Sequence, residues 1–161
     1  MLVIKPEIHR IAKEYDLNPH LVTAIVIKES GGVQYRCRYE PHTERYLHFH
    51  REYASRLGIS VETEITQQKT SWGLMQVMGF VAREMKFNGY LVELCGVECG
   101  LRLGCMKFKS LLLKYGDLEA AVAAYNMGSP RKSNGGLYKN QKNYVDPIFK
   151  MYREMDASGA V

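Results

Sequence analysis

Ala24-Ile25-Val26-Ile27-Lys28-Glu29-Ser30-Gly31-Gly32 is the stretch on which the reading of the chain turns. It reads as the end of a buried helix. Asn18 can cap that helix and Pro19 can sit in its first turn. Leu21, Val22, Ala24, Ile25, Val26 and Ile27 make it apolar almost all round, as in a helix inside a protein rather than on its surface. Gly31-Gly32 supplies residues able to take the left-handed conformation that closes a helix. The last turn then carries a carboxylate, Glu29, beside a hydroxyl, Ser30. The negative end of the helix dipole and the adjacent apolar surface both disfavour a charged carboxylate there. Such a cost is accepted where an acid that keeps its proton near neutral pH is useful. A glutamate that simply reaches solvent past the helix end is the plain alternative.

Working outward, 161 residues suit one domain that buries roughly 70% of its unfolded surface. Apolar residues make up 46% and charged residues 24%, which places the chain among ordinary globular proteins. A net charge of +5 suits an anionic polymer as partner, or merely a basic surface. Met1-Leu2-Val3-Ile4-Lys5-Pro6 lacks the basic start and apolar run of a signal peptide, and no stretch is apolar enough to span a membrane. The expectation is synthesis in a cytosol, without stable membrane insertion. Cys37, Cys95, Cys99 and Cys105 form no CxxC pair and are expected to be free thiols packed as small hydrophobes. Despite His48-Phe49-His50, zinc-site spacings are absent, so no metal and no cofactor is expected.

Taken in order, Ile8, Ile11, Ala12 and Tyr15 predict a first helix over 6–15. Residues 33–70 read as an insertion bordering a groove. Within it, 33–40 forms a short strand or extended loop, 46–57 a helix ended by Gly58, and 60–69 a polar loop. Beyond Ser71-Trp72-Gly73-Leu74-Met75-Gln76-Val77-Met78-Gly79, helices are predicted over 80–87, 101–115 and 118–125, and a last one from Tyr144 to Tyr152. Leu74 and Met75 read as core; Trp72 could be a platform for a ligand or a buried aromatic. Residues 129–142 read as loop, and those past about 156 as a tail. The architecture is mainly α, with three polar clusters at helix ends beside glycine: Glu29-Ser30, the Gln76 region and Tyr125-Asn126.

These clusters together resemble the SLT-type lytic transglycosylases, which have the goose-lysozyme-like fold. The matching motifs are Glu29-Ser30, then Gly73-Leu74-Met75-Gln76 followed by Met78, then Ala124-Tyr125-Asn126 followed by Gly128. Order and approximate spacing agree, over about residues 6–155. The long insertion and its Tyr39-Glu40-Pro41-His42 run resemble phage-encoded members. The chain departs from the family in having Gly100, where an Asn often opens the long helix.

The resemblance implies a single lysozyme-like domain that cuts the β-1,4 bond between N-acetylmuramic acid and N-acetylglucosamine in peptidoglycan. Glu29 would be the acid and then the base, and the product a 1,6-anhydro-muramic end. Ser30 and Gln76 would hold the N-acetyl and hydroxyl groups, Met78 would pack on the sugar, and Tyr125 would touch the reacting ring and Glu29. Asn126 would brace the motif, Tyr144 would close the far side of the groove, and Glu40 would border the substrate. The chain would act as a monomer on cell-wall glycan, as a phage endolysin or virion enzyme. A hydrolytic muramidase using Glu40 or Glu44 as second carboxylate is the nearest rival. A non-catalytic wall-binding module is disfavoured by the intact Glu29. Nucleic-acid binding rests on charge alone, without a recognition motif.

Overall fold

The computed structural model describes residues 4–158. Met1-Leu2-Val3, which opened the argument against a signal peptide, and residues 159–161 of the expected tail lie outside the described residues. The core is helical. Helix α1 (Lys5–Glu14) and α2 (Pro19–Ser30) pack against each other, and α2 also packs against α8 (Asp146–Ala157). Helix α6 (Val97–Tyr115) packs on α1 and on α7 (Leu118–Met127).

Local chemistry sets the ends of α2. The Asn18 side chain accepts from the His20 N–H at 2.8 Å, Pro19 follows, and Gly31 closes the helix at φ 65° with its N–H on the Ile27 carbonyl. Leu21 to Val26 are all buried, so the stretch that looked apolar all round is the centre of the core. The alanines of α7 are buried, Ala121 and Ala123 in the same cluster, behind an Asp117 cap that accepts from the Ala120 N–H at 2.7 Å.

Between α2 and α6 the chain builds a small antiparallel sheet, β1 (Cys37–Tyr39), β2 (Thr70–Trp72) and β3 (Val77–Met78), with β2 in the middle. Cys37 faces Trp72 and Tyr39 faces Thr70, while Ser71 faces Met78. The strand expected over 33–40 is thus only three residues, all exposed. Helices α3 (His50–Leu57) and α4 (Val61–Gln68) pack together beside it, and α5 (Gly79–Glu84) follows β3. Helix α3 stops at Gly58 as predicted, but residues 44–46 form a separate 3-10 turn.

Two expectations need correcting. Residues 60–69 are not a loop: α4 is capped by Ser60, whose hydroxyl accepts from the Thr63 N–H at 3.0 Å. Its inward face is Glu64 and Gln68, one turn apart and both buried. A hydrophobic period cannot reveal a helix that turns polar groups to the core. The Gln76 cluster, in turn, is not a helix end. It is the turn of the β2–β3 hairpin, with Gly73 at φ 70° and Gln76 at φ 47°. Toward the C-terminus, a π-helical turn over Gln141–Val145 feeds α8, which ends at Ala157. Among the described residues no helix is long and apolar enough to cross a membrane.

Candidate active site

Four segments far apart in sequence converge on one cleft of about 740 Å³. Glu29 comes from the end of α2, Gln76 and Met78 from the hairpin, Tyr125 and Asn126 from the end of α7, and Glu40 from just past β1. A second cavity of about 410 Å³ is bordered by Glu29, Gln76, Arg36, Cys37 and Arg38. Glu29, Arg38 and Gln76 border both.

The hairpin is held in place by close backbone approaches. A Cβ on Gly73 would stand 2.2 Å from the Leu94 carbonyl oxygen, and one on Gly100 would stand 2.3 Å from the same atom. A Cβ on Gly104 would meet Met75 Sδ at 2.3 Å. The turn is therefore seated on the 3-10 turn at Leu91–Cys95 and on α6, with Leu74 and Met75 buried beneath it. This explains the glycine at position 100: a side chain there has no room. Trp72 packs against the core, its indole N–H donating to the Gln67 carbonyl at 3.0 Å.

Gln76 is tied into its own turn. Its Nε2 donates to the Arg36 and Gly73 carbonyls, each at 2.8 Å, and its Oε1 accepts from the Ser71 hydroxyl at 2.9 Å. The amide braces the left-handed turn to β1 and keeps only acceptor capacity for a ligand. Ser30 lies behind the site rather than in it. It is fully buried, donates to the Val26 carbonyl at 3.0 Å and accepts from the Gly32 N–H at 3.2 Å. A direct sugar contact from Ser30 is not met by this geometry, because the hydroxyl closes the helix end.

The partner of Glu29 also differs from expectation. Tyr144, not Tyr125, donates its phenol to Glu29 Oε1. The π-helical turn before α8 brings it there, so Tyr144 stands behind the acid instead of across the groove. Tyr125 is buried and donates to the Met75 carbonyl at 2.9 Å, stitching α7 to the hairpin. Asn126 is exposed on the cleft wall and accepts from Asn140 Nδ2 at 3.2 Å. Burial raises the Glu29 carboxyl above the usual carboxylate range; the Tyr144 hydrogen bond and then the charges of Lys107, Arg38 and Lys28 offset this only in part. The Tyr144 and Tyr125 phenols are both pushed well up by burial and by the nearby Glu29, which keeps them protonated donors.

Of the other carboxylates, Glu40 lines the cleft in an ion pair with Arg38, and Glu84 lines it with Oε1 2.8 Å from His48 Nε2. Glu44 is exposed and paired with Lys69, whose hydrogen bond holds its carboxyl below the usual range. Tyr46 and Phe80 stack at 5.1 Å along the cleft. Cys37 is exposed at the second cavity rather than packed as a small hydrophobe. The sequence reading missed Lys107, whose ammonium lies in the cleft wall. The signal was present: Lys107 falls between Gly104 and Leu111 on the inward side of α6, a basic residue at an otherwise apolar helical spacing.

The arrangement can deliver a proton, and then take one back, at the edge of the cleft. Neither a comparison with curated proteins nor one with solved structures gave a match. The model of one protein family, the transglycosylase SLT domain, matches residues 7–146, which takes in all three motifs and the insertion between the first two. The chain belongs to the SLT transglycosylase family, the peptidoglycan lytic transglycosylases with a lysozyme-like fold.

Proposed function

We propose that this domain cleaves the β-1,4 bond between N-acetylmuramic acid and N-acetylglucosamine without water, with Glu29 as acid and then base. The observation that carries the reading is the Glu29 carboxyl itself: it is raised by burial, hydrogen-bonded by Tyr144, and placed on the cleft that the three motifs share. The proton of Glu29 passes to the glycosidic oxygen as the bond to the anomeric carbon breaks. The substrate's acetamido oxygen attacks that carbon and forms a cyclic oxazolinium ion, so no second carboxylate is required. Glu29, now ionised, takes the proton of the sugar's 6-hydroxyl. The freed oxygen attacks the anomeric carbon, opens the oxazolinium, and leaves a 1,6-anhydro-muramic end. Gln76 keeps the wall of the site rigid, Met78 and the Tyr46–Phe80 stack offer apolar faces to sugar rings, and Asn126 and Glu40 line the path of the strand.

One domain acting as a monomer on glycan strands, in phage lysis or entry, completes the proposal. Its second reading is a hydrolytic muramidase. It is favoured by Glu40, which borders the same cleft as Glu29, and not by Glu44, which is not among the residues lining that cleft. Mass spectrometry of digested peptidoglycan separates the two. Transglycosylation gives muropeptides lighter by one water than hydrolysis does, and Glu40→Gln then keeps most of the activity. Products of full mass, together with loss of activity in Glu40→Gln, establish the hydrolase. Glu29→Gln lowers turnover roughly 10²–10⁴-fold under either reading, the usual contribution of a general acid.

A further inference from the structure

Helix α6 carries one cation on the side that faces the cleft. Lys107 Nζ donates to the Tyr125 carbonyl at 2.9 Å and lies 3.8 Å from the centroid of the Tyr125 ring. The carbonyl belongs to the last turn of α7, whose final C=O groups have no partner inside the helix. The ammonium thus has a fixed place rather than a solvated one, and it looks into the same cavity as Glu29. Three cations act on Glu29: Lys107, Arg38 and Lys28, with Lys107 the strongest. Arg38 is already paired with Glu40, and Lys28 is exposed. The remaining titratable groups around the pair are the Tyr125 and Tyr144 phenols, both kept protonated. Burial pushes the Lys107 ammonium down to about 8, with Glu29 pulling it the other way.

We propose that Lys107 is a positioning residue for the reaction: its ammonium, fixed on the Tyr125 carbonyl and ring, supplies the positive field that steadies the Glu29 carboxylate left after proton donation. This rests on the reading of Glu29 as the acid. Burial makes the protonated form of Glu29 easy to keep but its proton hard to release, since the transition state must build negative charge on a poorly solvated carboxylate. A cation already in place offsets that cost without reorganising at the moment of transfer. Protonation of Glu29 and of Lys107 together then defines the active form, and activity falls on the alkaline side as Glu29 loses its proton.

The test uses the whole chain with Lys107→Gln, which keeps a hydrogen-bond donor without charge, and Lys107→Arg, which keeps the charge. Two quantities are read: the NMR titration of the Glu29 side-chain carboxyl carbon, and turnover of peptidoglycan against pH. Lys107→Gln should raise the Glu29 midpoint by about one pH unit, the scale of a lost neighbouring charge, and lower kcat roughly tenfold. Lys107→Arg should restore both. In the wild type the Glu29 resonance should carry a further inflection near pH 8, where Lys107 loses its proton; this reading needs no variant to fold. An unmoved Glu29 midpoint in Lys107→Gln or an unchanged kcat overturns the proposal. A loss of thermal stability alone would reduce Lys107 to a cap on α7. Because the carboxyl titration does not depend on turnover, it stands even if Glu29→Gln retains activity and the assignment of the acid fails.

Discussion

Glu64 on α4 and Glu29 on α2 are both carboxylates that the fold withdraws from water, and their surroundings are opposite. Glu64 is fully buried, with one oxygen on Arg83 Nε at 2.8 Å and the other on Arg83 Nη2 at 2.9 Å. Gln68 Nε2 adds a third bond at 2.9 Å. The remaining guanidinium nitrogen, Arg83 Nη1, donates to the Phe87 and Gly89 carbonyls, and the Tyr53 ring lies 4.1 Å beneath the group. Both carboxylate oxygens and all three guanidinium nitrogens are hydrogen-bonded, so this bidentate pair ties α4 to α5 and to the chain beyond α5. Glu29 has one phenol against one oxygen, faces open space, and is raised above the usual range by burial. Burial alone therefore does not tell these two carboxylates apart; incomplete pairing at the edge of a cavity does.

The sharpest test of this contrast is to unpair Glu64. Arg83→Met leaves a buried carboxylate without its cation and should cost about 3–5 kcal/mol in urea unfolding. Adding Glu64→Leu should recover most of that loss, because the pair's net worth is small compared with the cost of breaking it. A single variant that loses less than about 1 kcal/mol would mean that water enters α4 and that the contrast is false.

Next in size is Tyr144→Phe. Without the phenol proton, Glu29 loses its one hydrogen bond, and turnover should fall by about tenfold, the worth of a bond to a charged group. That hydrogen bond also lowers the Glu29 carboxyl, so its loss should carry the alkaline limb of activity to higher pH. The acid must be protonated to act, so in the wild type activity falls as pH climbs through the raised value.

The smallest expected effect is on stability. A carboxyl raised in the folded state binds its proton more tightly there than in the unfolded chain. Stability then declines as pH rises from the unfolded value to the folded one, and the full penalty stands above both. Glu29→Gln removes the penalty. It should stabilise the domain by up to about 1 kcal/mol at pH 7 and by nothing near pH 3, read by urea unfolding at both. A gain of the same size at both pH values would show that the charge is not the cause.

Much of the helical frame was readable in advance because local rules fix it. Asn18 and Gly31 bound α2 and Gly58 ends α3, each acting within a turn of its own backbone. Helix α4 escaped because its inward positions hold Glu64 and Gln68, polar groups whose burial makes sense only once Arg83 and the His48 backbone stand opposite. The hairpin at Gly73–Gln76 escaped because its shape depends on the Leu94 carbonyl and on Gly104, neither of which is near it in sequence.

What the chain determined by itself is the helical core and the acid at the end of its most apolar helix, because caps, glycines and periodicity act over three or four residues. What only the tertiary structure decided is the company Glu29 keeps. Tyr144 reaches it from the start of the last helix and Lys107 from the middle of the long one, while Tyr125 and Ser30 spend their hydroxyls on backbone. Hydrogen bonds and fields between groups some 80 to 115 residues apart depend on where whole helices pack, and no local pattern encodes that.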